Sequence, residues 1–128
     1  FLGMKDLHPD FYTVTHQFTT TWSAQFNEEV KDDPQVYYQS YMSLMHHAWS
    51  HLLLTIPYLF IRFVDAKNDG LVTEESAKWG DFQGTFTNRH YKGISHGNII
   101  DLTREDYKGF DVLETYVQMV AELKRKGF

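Results

Sequence analysis

Apolar residues recur every fourth position from Phe18 through Trp22 and Phe26 to Val30, with Glu28, Glu29 and Lys31 between and after them. One turn of α-helix takes about 3.6 residues, so this spacing predicts an amphipathic helix. Asp33-Pro34 ends it, because proline drives the residue before it out of the α region. Residues 35–44 are rich in Val, Tyr and Met and alternate loosely, the pattern of a well-buried strand. Residues 45–50 match neither period. Residues 56–64 predict a helix with Pro57 in its first turn, where a missing N–H is tolerated. A polar loop over 65–70 leads to a short helix that Thr73 can cap and Gly80 can stop. Between 82 and 94, Phe82, Gly84 and Phe86 alternate with Gln83, Thr85 and Thr87, which predicts a second strand. The last helix has the fullest set of signals. Asp111 with Glu114 forms a capping box, and Val112, Leu113, Tyr116, Val117, Val120 and Leu123 make one apolar stripe. Lys124-Arg125-Lys126 before Gly127 suits a helix end.

At 128 residues, 42% hydrophobic and 16% aromatic, the chain is at most one domain, with ample material for a core. Its 12 basic and 17 acidic residues sum to −5, and the basic ones are scattered apart from 124–126, which argues against a nucleic-acid partner. Without cysteine there is no disulfide framework and no thiolate chemistry, and both secreted and cytosolic compartments stay open. The longest apolar stretch, 52–64, is interrupted by Thr55, Pro57 and Arg62 and is too short to span a bilayer. The chain starts at Phe1 without an initiator methionine, and Phe1-Leu2-Gly3 is no signal peptide, so a processed product or a fragment is expected.

Four constellations could carry chemistry. From Asp65 to Ser76, Asp at the first and fifth positions, Gly70 at the sixth and Val72 at the eighth match an EF-hand calcium loop. Lys67 and Ser76 stand where that loop needs oxygen ligands, so a tight Asn-Asp-Gly turn leading into a capped helix is the simpler expectation. Gly93-Ile94-Ser95-His96-Gly97 matches the Gly-x-Ser-x-Gly nucleophile elbow in letters. An elbow follows a buried apolar strand, whereas Asn88-Arg89-His90-Tyr91-Lys92 is polar, and neither an Asp-then-His order nor a later His follows. Ser23, Ser40, Ser43, Ser50 and Ser76 lack elbow context as well. His47 and His51, beside His46, have the i, i+4 spacing with which a helix offers two ligands to zinc, but no third ligand is evident and ordinary packing is the simpler expectation.

Asp69 and His96 are the fourth pair. A serine hydrolase needs a base to take the nucleophile's proton and a carboxylate to hold that base in the right tautomer, usually Asp first and His later, on loops beyond strand ends. Asp69 and His96 both lie in glycine-flanked loops in that order. One Asp and one His so spaced would be common by chance.

The local wording adds to this. Asn68-Asp69-Gly70-Leu71-Val72 followed by Ser76-Ala77-Lys78-Trp79-Gly80 resembles the acid-residue loop of bacterial triacylglycerol lipases, in the α/β-hydrolase superfamily. Gly93-Ile94-Ser95-His96-Gly97-Asn98-Ile99-Ile100-Asp101-Leu102 resembles the loop that brings the triad His of that family. Tyr107-Lys108-Gly109-Phe110-Asp111 before an apolar helix resembles the end of such chains. Gln25-Phe26-Asn27-Glu28-Glu29-Val30 and Val36-Tyr37-Tyr38-Gln39-Ser40-Tyr41 resemble the region between nucleophile and acid, where lipases place mobile lid helices and a sheet strand.

The resemblance implies an α/β fold in which residues 1–128 form the C-terminal half of a hydrolase domain, incomplete as given, with a few strands packed against helices and with about 1–34 and 45–64 as lid helices. It implies ester hydrolysis on acylglycerols or other esters, with Asp69 as the orienting acid and His96 as the general base and acid. The Ser nucleophile and the oxyanion hole then lie outside the chain, which by itself would not turn over an ester. It implies no cofactor for catalysis. Many such lipases bind a structural calcium through an Asp two residues after the His, where this chain has Asn98 and only a neutral carbonyl oxygen. Expected partners are the missing N-terminal half, a lipid interface and a second copy of the chain. The alternative is a small calcium-binding or noncatalytic interaction module built on the loop from Asp65 to Ser76.

Overall fold

A computed structural model of the chain describes residues 10–64 and 67–128. The chain divides into two units, residues 1–37 and 38–128. In the first, helices α1 (Phe11–His16) and α2 (Thr20–Glu29) each begin at a side-chain cap. Asp10 accepts the Thr13 N–H at 2.9 Å and Thr19 accepts the Trp22 N–H at 3.3 Å, satisfying groups that the first turn leaves without backbone partners. Helix α2 is the one the hydrophobic spacing predicts, and Trp22 stacks on Phe26 one turn later with ring centroids 5.0 Å apart. Phe18 falls outside it because Thr19 is the cap. The apolar spacing does not predict α1, which rests on the local Asp10 cap. At Pro34 the chain turns, with the Gln35 N–H bonded to Asp33 Oδ1 at 2.8 Å and the Val36 N–H to the Asp33 carbonyl at 3.0 Å.

The second unit is of the α/β class. Strands β1 (Gln39–Ser43) and β2 (Asp81–Phe86) pair in parallel. Parallel neighbours need a long connection, and here it carries two 3₁₀ turns (Ala48–Ser50 and Leu52–Leu54), α3 (Thr55–Val64) and α4 (Glu74–Ala77). The register runs Gln39 to Asp81 and Ser40 to Phe82, then Met42 to Thr85 and Ser43 to Phe86, so β2 gains one residue in a bulge. After β2 come α5 (His96–Ile99) and α6 (Val112–Lys126).

Both strands are shorter than their sequence patterns predict. Residues 35–38 turn or run outside the strand, and the Tyr38 carbonyl accepts the Asp81 N–H at 2.9 Å. Beyond Phe86 the polar run reverses the chain, with the Gly93 N–H on the His90 carbonyl at 3.1 Å. His46 holds that reversal with both ring nitrogens, Nδ1 at 2.9 Å from the His90 carbonyl and Nε2 at 2.9 Å from Thr87 Oγ1. Met45 and Gly93 then meet as an isolated antiparallel bridge. Helix α3 starts at Thr55, and α4 is capped by Thr73, whose hydroxyl accepts the Ser76 N–H at 3.1 Å.

Helix α6 keeps its predicted bounds, but its capping box forms only one way. Asp111 accepts the Glu114 N–H at 2.8 Å, whereas the Glu114 carboxylate reaches forward to Gln118 at 2.9 Å. Its apolar stripe is uncovered: Leu113, Val117 and Val120 are exposed. So are Leu52, Ile56, Phe60 and Phe63 in and beside α3. Among the described residues the buried apolar side chains are Met42, Met45, Tyr58, Ile94 and Tyr107, and Met42, Met45 and Ile94 lie at the carboxyl end of β1. Among the described residues no helix is long and apolar enough to cross a membrane.

Candidate active site

The loop after α3 is built by its own sequence. Asn68 Oδ1 accepts the Gly70 N–H at 3.0 Å, and Asp69 Oδ1 accepts the Leu71 and Val72 N–H groups at 3.1 and 2.9 Å. These are short-range Asx turns, in which the side chain replaces a backbone acceptor. The turn needs Gly70: its φ is +102°, and a Cβ there would lie 2.8 Å from Leu54 Cβ. The result is that Asp69 is 4% exposed with its second oxygen, Oδ2, turned inward.

A second loop brings His96. Gly93, at φ +69°, presses so close to β1's continuation that a Cβ would sit 2.3 Å from the Leu44 carbonyl oxygen. The next residue, Ile94, donates its N–H to that same carbonyl at 2.8 Å. Ser95 and Asn98 then cap α5 reciprocally: Ser95 Oγ accepts the Asn98 N–H at 3.1 Å and Asn98 Oδ1 accepts the Ser95 N–H at 3.0 Å. His96 is thereby the first residue of α5. Its N–H donates to the Asp69 carbonyl at 2.9 Å, and its Nδ1 lies 2.9 Å from Asp69 Oδ2. The His96 side chain is 41% exposed against 5% for Asp69, so a buried carboxylate backs a ring that reaches solvent.

One segment ties the two loops together. The Met45 N–H donates to the Asn68 carbonyl at 3.1 Å, the Leu44 carbonyl holds Ile94, and the His46 N–H donates to the Lys92 carbonyl at 3.1 Å. Residues 44–46 therefore bond to the acid loop on one side and to the base loop on the other. Ser43, just before them, is 1% exposed and donates its hydroxyl to Asp69 Oδ2 at 3.2 Å. Sequence reasoning missed it. No elbow or cap motif surrounds Ser43, and a bond between segments far apart in sequence, from the Met45 N–H to the Asn68 carbonyl, brings it to Asp69.

The other sequence candidates separate. Ser95 is fully buried and acts as a helix cap, so its Gly-x-Ser-x-Gly setting presents no nucleophile. The i, i+4 spacing of His47 and His51 does not place them on one helix face, because residues 48–50 form a 3₁₀ turn that the His47 ring caps through the Trp49 N–H at 3.2 Å. His51 is buried, and neither ring nitrogen has a partner among the described residues. Of the calcium-like loop, Asp65 lies outside the described residues, Lys67 pairs with Glu74 at 3.0 Å, and Asp69 is engaged as above. Among the described residues no group of three or more His, Asp or Glu is placed to hold a metal ion.

An imidazole held by Nδ1 on a buried carboxylate has the arrangement of the acid and base in serine hydrolases of several unrelated folds. The chain is similar to a lipase. It is 30% identical to Triacylglycerol lipase 2 of Saccharomyces cerevisiae, in an alignment that takes in 88% of this chain and 37% of that lipase. The chain thus spans little more than a third of that relative's length. No protein-family model matches the sequence, and no solved structure matches it.

Proposed function

We propose that the chain supplies the general base and the orienting acid of a serine esterase that acts on acylglycerols or related esters, with the nucleophilic serine outside residues 1–128. The observation that carries this reading is the 2.9 Å contact between Nδ1 of half-exposed His96 and Oδ2 of buried Asp69. With Nδ1–H donated to the carboxylate, Nε2 is the nitrogen left to exchange protons. In the reaction, serine Oγ attacks the ester carbonyl while Nε2 accepts its proton. The tetrahedral intermediate expels the alcohol, which takes the proton back from Nε2. Water then attacks the acyl-enzyme by the same route and releases the acid. Asp69 fixes the tautomer throughout and stabilises the imidazolium while it exists. The scheme uses no cofactor. Similarity to a yeast triacylglycerol lipase supports the ester substrate class.

In this reading residues 1–128 are the C-terminal half of an α/β-hydrolase domain, β1 and β2 are inner strands of a larger parallel sheet, and segments 1–34 and 45–64 contribute to a lid. A parallel pair is normally covered on both faces, and exposed apolar stripes on α3 and α6 suit contact with the rest of such a domain or with lipid. A calcium or interaction module on the 65–76 loop has less support, because the Asp69 carboxylate already accepts from Leu71, Val72, Ser43 and His96.

The test is His96→Ala in the full-length protein, assayed on a short-chain nitrophenyl ester. Loss of the base lowers kcat by about 10⁵- to 10⁶-fold. Activity close to that of the unmodified protein would overturn the proposal, as would a coding sequence ahead of Phe1 that lacks a Gly-x-Ser-x-Gly elbow.

A further inference from the structure

The carboxylate of Asp69 has two ends with different neighbours. Oδ1 faces its own loop and accepts two backbone N–H groups, from Leu71 and Val72. Oδ2 faces the base and accepts from His96 Nδ1 at 2.9 Å and from Ser43 Oγ at 3.2 Å. An ionised carboxylate offers about four lone-pair sites, so these four donors satisfy it. Rotation about χ2 of aspartate is soft, and donors on one oxygen alone leave the other free to swing. His96 and Ser43 together hold the second oxygen, and of the two Ser43 is the one buried from solvent.

We propose that Ser43 is a positioning residue for the acid–base pair: its hydroxyl donates to the oxygen that holds His96, fixing the rotation of the Asp69 carboxylate and tempering its pull on the imidazole N–H. This rests on the hydrolase reading above. Ser43 is 1% exposed, so water does not compete for its hydroxyl, and a buried hydroxyl must find an acceptor or lose free energy. Main-chain carbonyls would satisfy that need equally well. The acceptor is instead Asp69 Oδ2, reached across 26 residues of sequence. Ser43 is also held in step with both loops, because the next two residues bond to Ile94 and to Asn68. Hydroxyl, carboxylate and imidazole therefore share one rigid reference, the carboxyl end of β1.

Each donor on Oδ2 draws charge from it, so removing one strengthens the remaining bond to Nδ1–H. The experiment compares Ser43→Ala and Ser43→Thr with the unmodified full-length protein. It reads two quantities: the proton resonance of His96 Nδ1–H, and kcat per active site counted with an organophosphonate titrant. In Ser43→Ala the resonance moves downfield and kcat per titrated site falls about tenfold with KM unchanged, the scale of loss when an outer support of a site is removed. Ser43→Thr keeps the hydroxyl and restores both. An unshifted resonance in Ser43→Ala overturns the proposal, and so does an equal loss in both variants, which would assign Ser43 to packing. Titration removes misfolded molecules from the count. If His96→Ala leaves activity intact, the hydrolase reading fails, and the Nδ1–H resonance still decides whether Ser43 governs the Asp69–His96 bond.

Discussion

The floor of the acid–base cluster and the outer faces of α3 and α6 are built on opposite terms. On the floor, Ser43, Asn68, Asp69, Ser95 and Asn98 are buried and polar, with Ser43 bonded to Asp69, Ser95 to Asn98, and Asn68 to the Gly70 N–H. On the helices, Phe60 and Phe63 of α3 and Leu113 and Val117 of α6 are apolar and exposed. Water's preferences alone would reverse the two. Burying polar groups costs free energy unless they are hydrogen-bonded, so the bonds of this cluster rest on fixed geometry. Contiguous exposed apolar stripes mark surfaces made for contact, in contrast to apolar residues scattered singly.

If that contrast is right, a single methyl should be intolerable on the floor and unimportant on the stripes. Gly93→Ala places a Cβ within 2.3 Å of the Leu44 carbonyl at a φ of +69°, and neither atom belongs to a flexible side chain. Strain and displacement together should cost about 2–4 kcal/mol, read as a lower urea midpoint. Wild-type stability in that variant would show that the His96 loop is not pinned to β1. At the other extreme, Val117→Ser on α6, where Val117 is 54% exposed, should change the stability of the 128-residue chain by less than about 0.5 kcal/mol. A loss several times larger would mean that the stripe is already covered, for example by a second copy.

How much of this the sequence discloses depends on the range of the interactions. The Asn-Asp-Gly turn, the Thr73 cap and helix α6 are legible because their determinants lie within four residues of one another. Gly127 ends α6 at φ 98°, as a glycine past a basic last turn should. Strand limits are less legible. The second strand is expected to run on towards 94, yet the chain turns back after Phe86, where His46, far off in sequence, holds Thr87 and His90. The spacing of His47 and His51 suggests a helix face that the 3₁₀ turn does not make. The meeting of Asp69 with His96 is suggested by the order and setting of the two loops, through resemblance. The part played by Ser43 could not be read, since nothing near it in sequence distinguishes it from the other serines.

The central claim is that the Asp69 carboxylate serves catalysis by holding His96, and Asp69→Asn in the full-length protein tests it most directly. The amide keeps the shape of the side chain and can still accept the Leu71 and Val72 N–H groups, but it favours the wrong imidazole tautomer. The account predicts that kcat falls by about 10⁴-fold while the protein stays folded. Retention of activity within about tenfold of the unmodified protein, with folding intact, would contradict it.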